Sequence, residues 1–283
     1  MYIDAHQHFW RLERGDYTWM KPQLGALYRD FMPEDLLGQL ASYGVEGTVL
    51  VQAAASEAET RFLYELSRRD PRFLGVIGWV DFEAANVVER MEALKRDGAG
   101  SLKGLRPMIQ DIPDPDWLAR RSLDSAFEAM TAQELTFDAL VTRKQLNLLA
   151  ERLHRHPSLR AVLDHAGKPD IRGGEFEHWA TDLARLAATT SIHCKLSGLL
   201  TEAGSDVTPG ELDRYVAHIF ECFGADRVMW GSDWPVVTTR ASYQRWLSLA
   251  LRMVERHAPG SEEAVFRFNA ARFYQLGNRS QLK

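Results

Sequence analysis

Eight short apolar segments, each followed by a segment with helical spacing, constrain the fold of this chain more than any other feature. The first predicted strand is opened by Tyr2 and Ile3, and the others cover residues 46–52, 73–80, 101–106, 135–141, 159–165, 191–197 and 227–233. The segments lack regular polar alternation, as is typical of a parallel sheet covered on both faces. Eight such units in 283 residues match the size of a (β/α)8 barrel. The pattern therefore predicts a TIM-type α/β barrel.

A doubly wound sheet is the competing arrangement, but it would have fewer strands and a glycine-rich phosphate turn after the first one. The sequence contains no such turn and no P-loop. Composition does not shift along the chain, so we expect residues 1–283 to form a single domain. Residues 11–32 carry aromatic side chains without helical or alternating pattern. Long unpatterned segments are often functional, and we expect this one over the carboxyl ends of the strands, although it could also be an ordered loop that packs on the barrel rim.

Charge and composition narrow the class of partner. Lys and Arg number 34 against 39 Asp and Glu, a net charge of −5, which gives no electrostatic reason to bind nucleic acid or an anionic membrane. The two cysteines do not suggest a disulfide framework. No signal peptide or membrane-spanning run is visible, so the expected location is cytoplasmic. A small molecule is the expected ligand, and the oligomeric state is left open.

His6 and His8 form a His-x-His pair on the first predicted strand. Residues two apart on a strand point to the same face, so the two imidazoles are expected side by side. Imidazole is a favoured ligand of zinc and similar divalent ions. A His-x-His pattern is short, however, and the alternative is that the two histidines are simply polar residues on a half-exposed strand.

Polar side chains recur at the carboxyl ends of later strands, where barrel active sites lie. These residues are Gln52, Lys103, Arg106, Asp164, His165, Lys195, Ser197, Ser232 and Asp233. Asp233 lies between a glycine turn and a proline, where it could ligate a metal, accept a proton from water, or cap the next helix. His165 is a catalytic candidate or a satisfied core histidine. Lys103 and Arg106 would suit an anionic or hydroxyl-rich ligand unless they are solvated surface cations.

Five motifs in order along the chain resemble the amidohydrolase superfamily, and in particular its sugar-lactonase branch. They are DAHQHFW, KGLRP, LDHAGKP, CKLSGL and MWGSDWP. The resemblance implies hydrolysis of an aldonolactone to the aldonic acid, with L-fuconolactone or a related L-sugar lactone as the expected substrate in L-fucose degradation. It also implies a metal site formed by His6, His8 and Asp233. The fifth strand, TFDAL, lacks the histidine that usually completes a binuclear centre, so we expect at most one divalent ion, for which zinc is the candidate.

The resemblance also suggests roles for individual residues. Asp233 would be the general base, and His165 would help to polarise the carbonyl. The four residues expected to contact substrate are Lys103, Arg106, Trp10 and Trp79. A nonoxidative decarboxylase on the same scaffold and a non-catalytic binding barrel are the alternative functions.

Overall fold

The computed structural model describes residues 1–204 and 207–276, and within them eight parallel strands form one sheet in sequential order. The strands are β1 (Tyr2–Gln7), β2 (Val45–Val51), β3 (Phe73–Gly78), β4 (Leu102–Leu105), β5 (Thr136–Ala139), β6 (Ala161–Leu163), β7 (His193–Leu196) and β8 (Val228–Trp230). Each predicted strand is present, although β6 and β8 end before the polar residues that the sequence had included in them. The chain leaves extended geometry there because those residues form the turns of the site.

Strands β8 and β1 meet and close the sheet. Gln7 forms a parallel bridge with Trp234. The Asp233 amide donates to the His6 carbonyl at 2.9 Å, and the His8 amide donates to the Trp234 carbonyl at 2.8 Å. This closure confirms the predicted (β/α)8 barrel. It also places the first of the five motifs, DAHQHFW, beside the last, MWGSDWP.

Helices cover the outside of the barrel. They are α1 (Pro33–Leu40), α2 (Glu57–Ser67), α3 (Val87–Asp97), α4 (Asp124–Ala132), α5 (Leu146–Arg155), α6 (Phe176–Thr189), α7 (Leu199–Ala203), α8 (Pro209–Phe223), α9 (Tyr243–His257) and α10 (Asn269–Phe273). Their amino termini follow common capping rules: Ser56, Thr208 and Ser242 each accept a backbone N–H of the first turn. No helix in the described ranges combines the length and the apolar character needed to cross a membrane.

The barrel interior is apolar toward the amino-terminal ends of the strands, and residues 270–276 close it there. Ile3, Val49, Ile77 and Met229 pack there with residues of α10 and the turn that follows it. Lys103 also lies at this end, where its Nζ donates to the Gln275 carbonyl at 3.3 Å. The sequence prediction that Lys103 contacts substrate is therefore wrong. Its position near the start of β4 leaves its side chain at the end of the barrel opposite to the strand carboxyl termini.

The segment 11–32 contains two short 3₁₀ turns, Leu12–Arg14 and Pro22–Leu27. Trp19 donates from Nε1 to the Ala53 carbonyl at 2.6 Å, just beyond the end of β2. The neighbouring Asp16 carboxylate pairs with Arg14 at 2.5 Å and accepts the Ser56 hydroxyl at 2.5 Å. These contacts attach the segment to the residues that follow β2.

The Glu59 side chain stabilises the backbone that follows β2. Its buried carboxylate accepts the Ala53 amide at 2.9 Å and also the Ala54 amide. Burial raises the pKa of this carboxyl from 4.5 to about 8, although the two amides act in the opposite direction. The folded protein therefore binds this proton more tightly than the unfolded chain does.

We expect the Glu59→Gln variant to have a flatter dependence of stability on pH than the parent protein. Between the unfolded pKa of 4.5 and the folded value of about 8, the contribution of Glu59 to the stability of the parent falls as pH rises. The slope approaches about 1.4 kcal/mol per pH unit, because the unfolded state releases a proton that the folded state retains. Urea denaturation from pH 5 to pH 8 measures this slope. Glu65→Gln, at an exposed position of the same helix, is the control and should retain the parent slope.

Candidate active site

Three histidines and one aspartate converge at the carboxyl end of the barrel. The Nε2 atoms of His6 and His8 are 3.1 Å apart. Oδ1 of Asp233 is 3.3 Å from His8 Nε2, 3.7 Å from His6 Nε2 and 4.0 Å from His165 Nε2. We call these four residues the His–Asp cluster. The predicted meeting of the amino-terminal histidine pair with Asp233 is therefore present in the structure.

The closure between β1 and β8 positions this cluster. The buried Asp4 carboxylate accepts the amides of Ser232 at 2.8 Å and His6 at 3.1 Å, and it also accepts the Tyr243 hydroxyl at 3.0 Å. His8 is oriented by a hydrogen bond of 2.8 Å between its Nδ1 and the Val51 carbonyl. The backbones that carry His6, His8 and Asp233 are thus fixed to one another before any ligand binds.

His165 enters the cluster from a left-handed turn. His165, Ala166, Gly167 and Lys168 have φ angles of 53°, 51°, 70° and 52°. A left-handed conformation costs a non-glycine residue about 1–2 kcal/mol, so surrounding contacts must hold this turn. Trp179 Nε1 donates to the Ala166 carbonyl at 2.8 Å, and Ser197 Oγ lies 2.9 Å from His165 Nδ1.

A second layer of charged residues lies beneath the cluster, and three of them, Lys195, Asp138 and Asp164, are fully buried. Lys195 Nζ is 2.6 Å from Asp138 Oδ2, 2.9 Å from Asp164 Oδ1 and 3.1 Å from His6 Nδ1. Arg106 lies 3.2 Å from Asp164 Oδ2. Its guanidinium also donates to Gln52 Oε1 at 3.1 Å, and the Gln52 amide donates to the Arg106 carbonyl at 2.7 Å.

The ionisation of the carboxylates follows from these neighbours. Burial alone would raise the pKa of Asp164, but Lys195, His6 and Arg106 hold that pKa well below its usual range. The pKa of Asp138 remains raised, because burial and the charge of Asp164 outweigh the effect of Lys195. Asp138 also accepts the Tyr274 hydroxyl at 2.7 Å. Asp138 is thus directed inward to a lysine and a tyrosine.

Asp233 is kept ionised in a nearly dry environment. It is 4% exposed, and burial would raise the pKa of its carboxyl, yet the three neighbouring histidines lower that pKa below its usual range. Burial lowers the pKa of His165 from 6.5 to about 4, despite the opposing charges of Asp233 and Asp164. At neutral pH the pair is therefore an aspartate anion beside a neutral imidazole. The ionised carboxylate can accept a proton from water, and its lowered pKa makes it a weaker base than a free aspartate.

A cavity of about 210 Å³ opens above the cluster. Its wall includes His8, His165 and Asp233 at the base, with Arg106, Trp10 and Trp19 around them. Trp79 is not among the residues that line this cavity. It lines a neighbouring cavity of about 480 Å³, which shares Trp19 and Met108 with the first one. Contact between Trp79 and substrate therefore stays a prediction.

The donor atoms of the cluster suit a divalent ion. His6, His165 and Asp233 each offer a ligand atom, and these atoms lie within 4.8 Å of one another. His8 Nε2 is also 3.1 Å from His6 Nε2, a little less than the separation of about 3.4 Å between two nitrogen ligands at a bond length of about 2.1 Å in tetrahedral geometry. Nitrogen and carboxylate ligands of this kind are those that zinc accepts.

Sequence reasoning assigned no role to several residues of the site. Lys195 and Asp138 were visible as polar residues on strands, but a strand residue can face either side of a sheet. Lys168 lines the cavity, where its Nζ donates to Gln110 Oε1 at 2.9 Å and lies 3.2 Å from Glu202. The Gly167–Lys168–Pro169 sequence was the available signal, because this dense set of turn residues follows directly after His165.

Comparison with known proteins agrees with this geometry. The amidohydrolase family profile matches residues 3–276. The chain belongs to the amidohydrolase family. The L-fucono-1,5-lactonase of Burkholderia ambifaria is 41% identical over 282 residues, which cover 98% of this chain and 97% of the relative. The L-fucono-1,5-lactonase of Burkholderia multivorans is 36% identical over 97% of this chain and 96% of its own length.

A solved structure extends the likeness to three dimensions. A crystal structure of an amidohydrolase from Burkholderia multivorans with bound zinc superimposes with a TM-score of 0.91 at 34% identity. The match covers 98% of this chain and all of that one. The relative therefore shares the whole barrel, and this family includes a member whose structure holds zinc.

Proposed function

We propose that this protein hydrolyses a sugar lactone to the aldonic acid, with L-fucono-1,5-lactone as the first substrate to test. Its support is the full-length similarity to two L-fucono-1,5-lactonases, at 41% and 36% identity. The observation that carries the chemistry is the Asp233 carboxylate, which lies within 4.0 Å of three imidazoles at the base of a cavity. An ionised base beside polar groups meets the needs of attack on an ester carbonyl.

The reaction can be written with these groups. A water molecule in the cavity gives one proton to Asp233 while its oxygen bonds to the lactone carbonyl carbon. The resulting oxyanion is stabilised by hydrogen bonds from cationic or N–H groups at the cluster, and His165 is placed to provide one. The bond from this carbon to the ring oxygen then breaks, and the ring oxygen takes the proton from Asp233. The product is an open-chain aldonic acid, which ionises in water.

Arg106 and Trp10 are the proposed substrate contacts. The Arg106 guanidinium lines the cavity and is anchored by Asp164 and Gln52, so its remaining face can orient hydroxyls or the nascent carboxylate. Trp10 supplies an apolar ring in the wall for the face of the sugar. We also propose that residues 1–283 form one catalytic domain in which the segment 11–32 covers the strand carboxyl ends. The contribution of Trp19 to the cavity wall supports this placement.

We propose a single divalent ion, with zinc as the first candidate, at His6, His8 and Asp233, with His165 nearby. An ion bound there would supply Lewis-acid polarisation of the carbonyl. The support is the clustering of donor atoms and the zinc in the structure of the Burkholderia multivorans amidohydrolase.

A panel of aldonolactones, assayed by acid release with and without a chelator, tests the proposal. We expect L-fucono-1,5-lactone or a related L-sugar lactone to be hydrolysed, and the chelator arm reports whether a metal ion takes part. Absence of acid release from every lactone, in both metal-free and zinc-supplemented protein, would contradict the proposed reaction. Release of carbon dioxide from aromatic acids by the same preparation would favour a decarboxylase.

A further inference from the structure

We propose that the cavity of about 480 Å³ beside the active site binds a second sugar ring, so that the enzyme hydrolyses glycosylated aldonolactones as well as single-ring ones. The lactone ring would lie over the His–Asp cluster. A sugar joined to one of its hydroxyls by a glycosidic bond would lie in the neighbouring cavity. The inference rests on the proposed lactone hydrolysis for the reaction itself and adds a binding site for the rest of the substrate.

The two cavities adjoin, because Trp19, Met108 and Asp111 line both of them. The cavity above the cluster measures about 210 Å³, which is below the range of about 300–1,000 Å³ that is usual for pockets holding larger small molecules. The neighbouring cavity measures about 480 Å³ and falls within that range. The first cavity therefore suits a single ring, and a larger substrate would extend past the shared wall into the second.

Aromatic rings form much of the wall of the neighbouring cavity, and Trp79 is the one best placed to meet a ligand. Its backbone is anchored, because its amide donates to Thr60 Oγ1 at 2.9 Å. Its indole is only half-buried and lines the cavity, and its Nε1 donates to no residue in the ranges 1–204 and 207–276. The Nε1 atoms of Trp10 and Trp19, by contrast, each donate to a backbone carbonyl. An indole with an available N–H can pack on the C–H face of a sugar and donate to one of its hydroxyls.

The charges at the wall favour a neutral ligand. Three carboxylates line the cavity, those of Asp81, Glu83 and Asp111. Glu83 pairs with Arg120, and Asp81 Oδ2 lies 4.0 Å from Arg90. No lysine or arginine of the described residues forms an ion pair with Asp111, so one negative charge is uncompensated. Carboxylates repel an anion and accept hydrogen bonds from hydroxyls, and a single net charge is a weak attraction for a cation, so a neutral polyhydroxylated ring fits best.

The second ring does not alter the chemistry. Water adds to the lactone carbonyl carbon, the bond from this carbon to the ring oxygen breaks, and the ring oxygen takes the proton that water gave up. The glycosidic bond remains intact, and the product is a glycosylated aldonic acid.

A titration without turnover tests the new site. The ligands are galactosyl-L-fucose disaccharides joined at O2, O3 or O4 of the fucose, which contain no lactone carbonyl and are not hydrolysed by this reaction. In ¹⁵N-labelled wild-type protein, we expect the Trp79 indole N–H signal, identified by its loss in Trp79→Phe, to shift with at least one disaccharide and much less with L-fucose alone. A signal that does not move with any of the three, or that moves equally with L-fucose, would overturn the inference. So would a shift produced only by tetramethylammonium, which would indicate a cation site.

This titration separates the inference from the proposed function. It contains no lactone, so the Trp79 signal can shift even if no lactone is turned over. It can equally remain unmoved while hydrolysis of L-fucono-1,5-lactone is confirmed.

Kinetics on the lactones made by oxidising the same disaccharides provide the second arm. We expect at least one to have a kcat/KM about tenfold or more above that of L-fucono-1,5-lactone, mainly through a lower KM, because the aromatic wall adds binding. Ala55 is exposed and lines the neighbouring cavity, so Ala55→Trp should fill it and lower the ratio of the two kcat/KM values about tenfold. Thr18→Trp, at another exposed position of the same wall, replaces this variant if it does not fold.

Ala58→Trp is the matched control for the filled cavity. Ala58 is exposed near the start of α2 and is not among the residues that line the cavity, so this variant should retain the parent ratio. Glycosylated lactones that are all hydrolysed no better than the single-ring lactone would overturn the inference. A parent ratio in the folded Ala55→Trp variant would also overturn it.

Discussion

Replacement of Asp233 by asparagine is expected to lower kcat on the lactone by about two to four orders of magnitude, the usual effect of removing an effective general base. Asparagine has the same shape but cannot accept the proton from water. The backbone should tolerate the change, because residue 233 has a φ of 56° and asparagine adopts this region readily. The backbone N–H of residue 233 would still donate to the His6 carbonyl. Steady-state kinetics on the best lactone measures the effect.

A thermal unfolding curve must accompany these kinetics. We expect the melting temperature of Asp233→Asn to remain near that of the parent, which separates loss of the base from loss of the fold. Asp97→Asn, an exposed carboxylate at the end of α3, is the control and should retain full activity. Turnover by Asp233→Asn at the parent rate would exclude Asp233 as the base.

Replacement of Gly198 by alanine is expected to produce the second largest loss, about tenfold to a hundredfold in kcat. A β-carbon at this position would lie 2.6 Å from both Cγ and Nδ1 of His165. The imidazole would have to move and lose its contact with Ser197. A displacement of about 1 Å in a catalytic group can cost on the order of a hundredfold in rate.

Gly174 offers a matched control for this variant. Both glycines have positive φ angles, 69° at Gly198 and 72° at Gly174, so alanine imposes a similar backbone strain of about 1 kcal/mol. A β-carbon at Gly174 has no neighbour within 4 Å, and the residue is exposed. We expect Gly174→Ala to lose some stability and no activity. Equal kcat values for the two variants would show that contact with His165 is not the cause.

The sequence predicted those site residues that both belong to a motif and lie where the barrel topology brings strand ends together. His6, His8, His165 and Asp233 each lie toward the carboxyl end of a predicted strand, and in a barrel all such ends share one rim. Lys103 was misplaced by the same reasoning, because it does not determine which way a side chain points or which end of the barrel it reaches. Lys103 lies near the start of β4, and its Nζ reaches the Gln275 carbonyl at the far end of the barrel.

The sequence by itself determined the number and order of the strands, the barrel class and the membership of the His–Asp cluster. These properties depend on local hydrophobic periodicity and on motifs, which are written along the chain. Only the tertiary structure decided the buried layer beneath the cluster. Lys195, Asp138, Asp164 and His6 come from four different strands or strand ends, and their contacts depend on distances that differ by a few tenths of an ångström. Such distances arise from how the closed sheet packs, so no pattern along the chain specifies them.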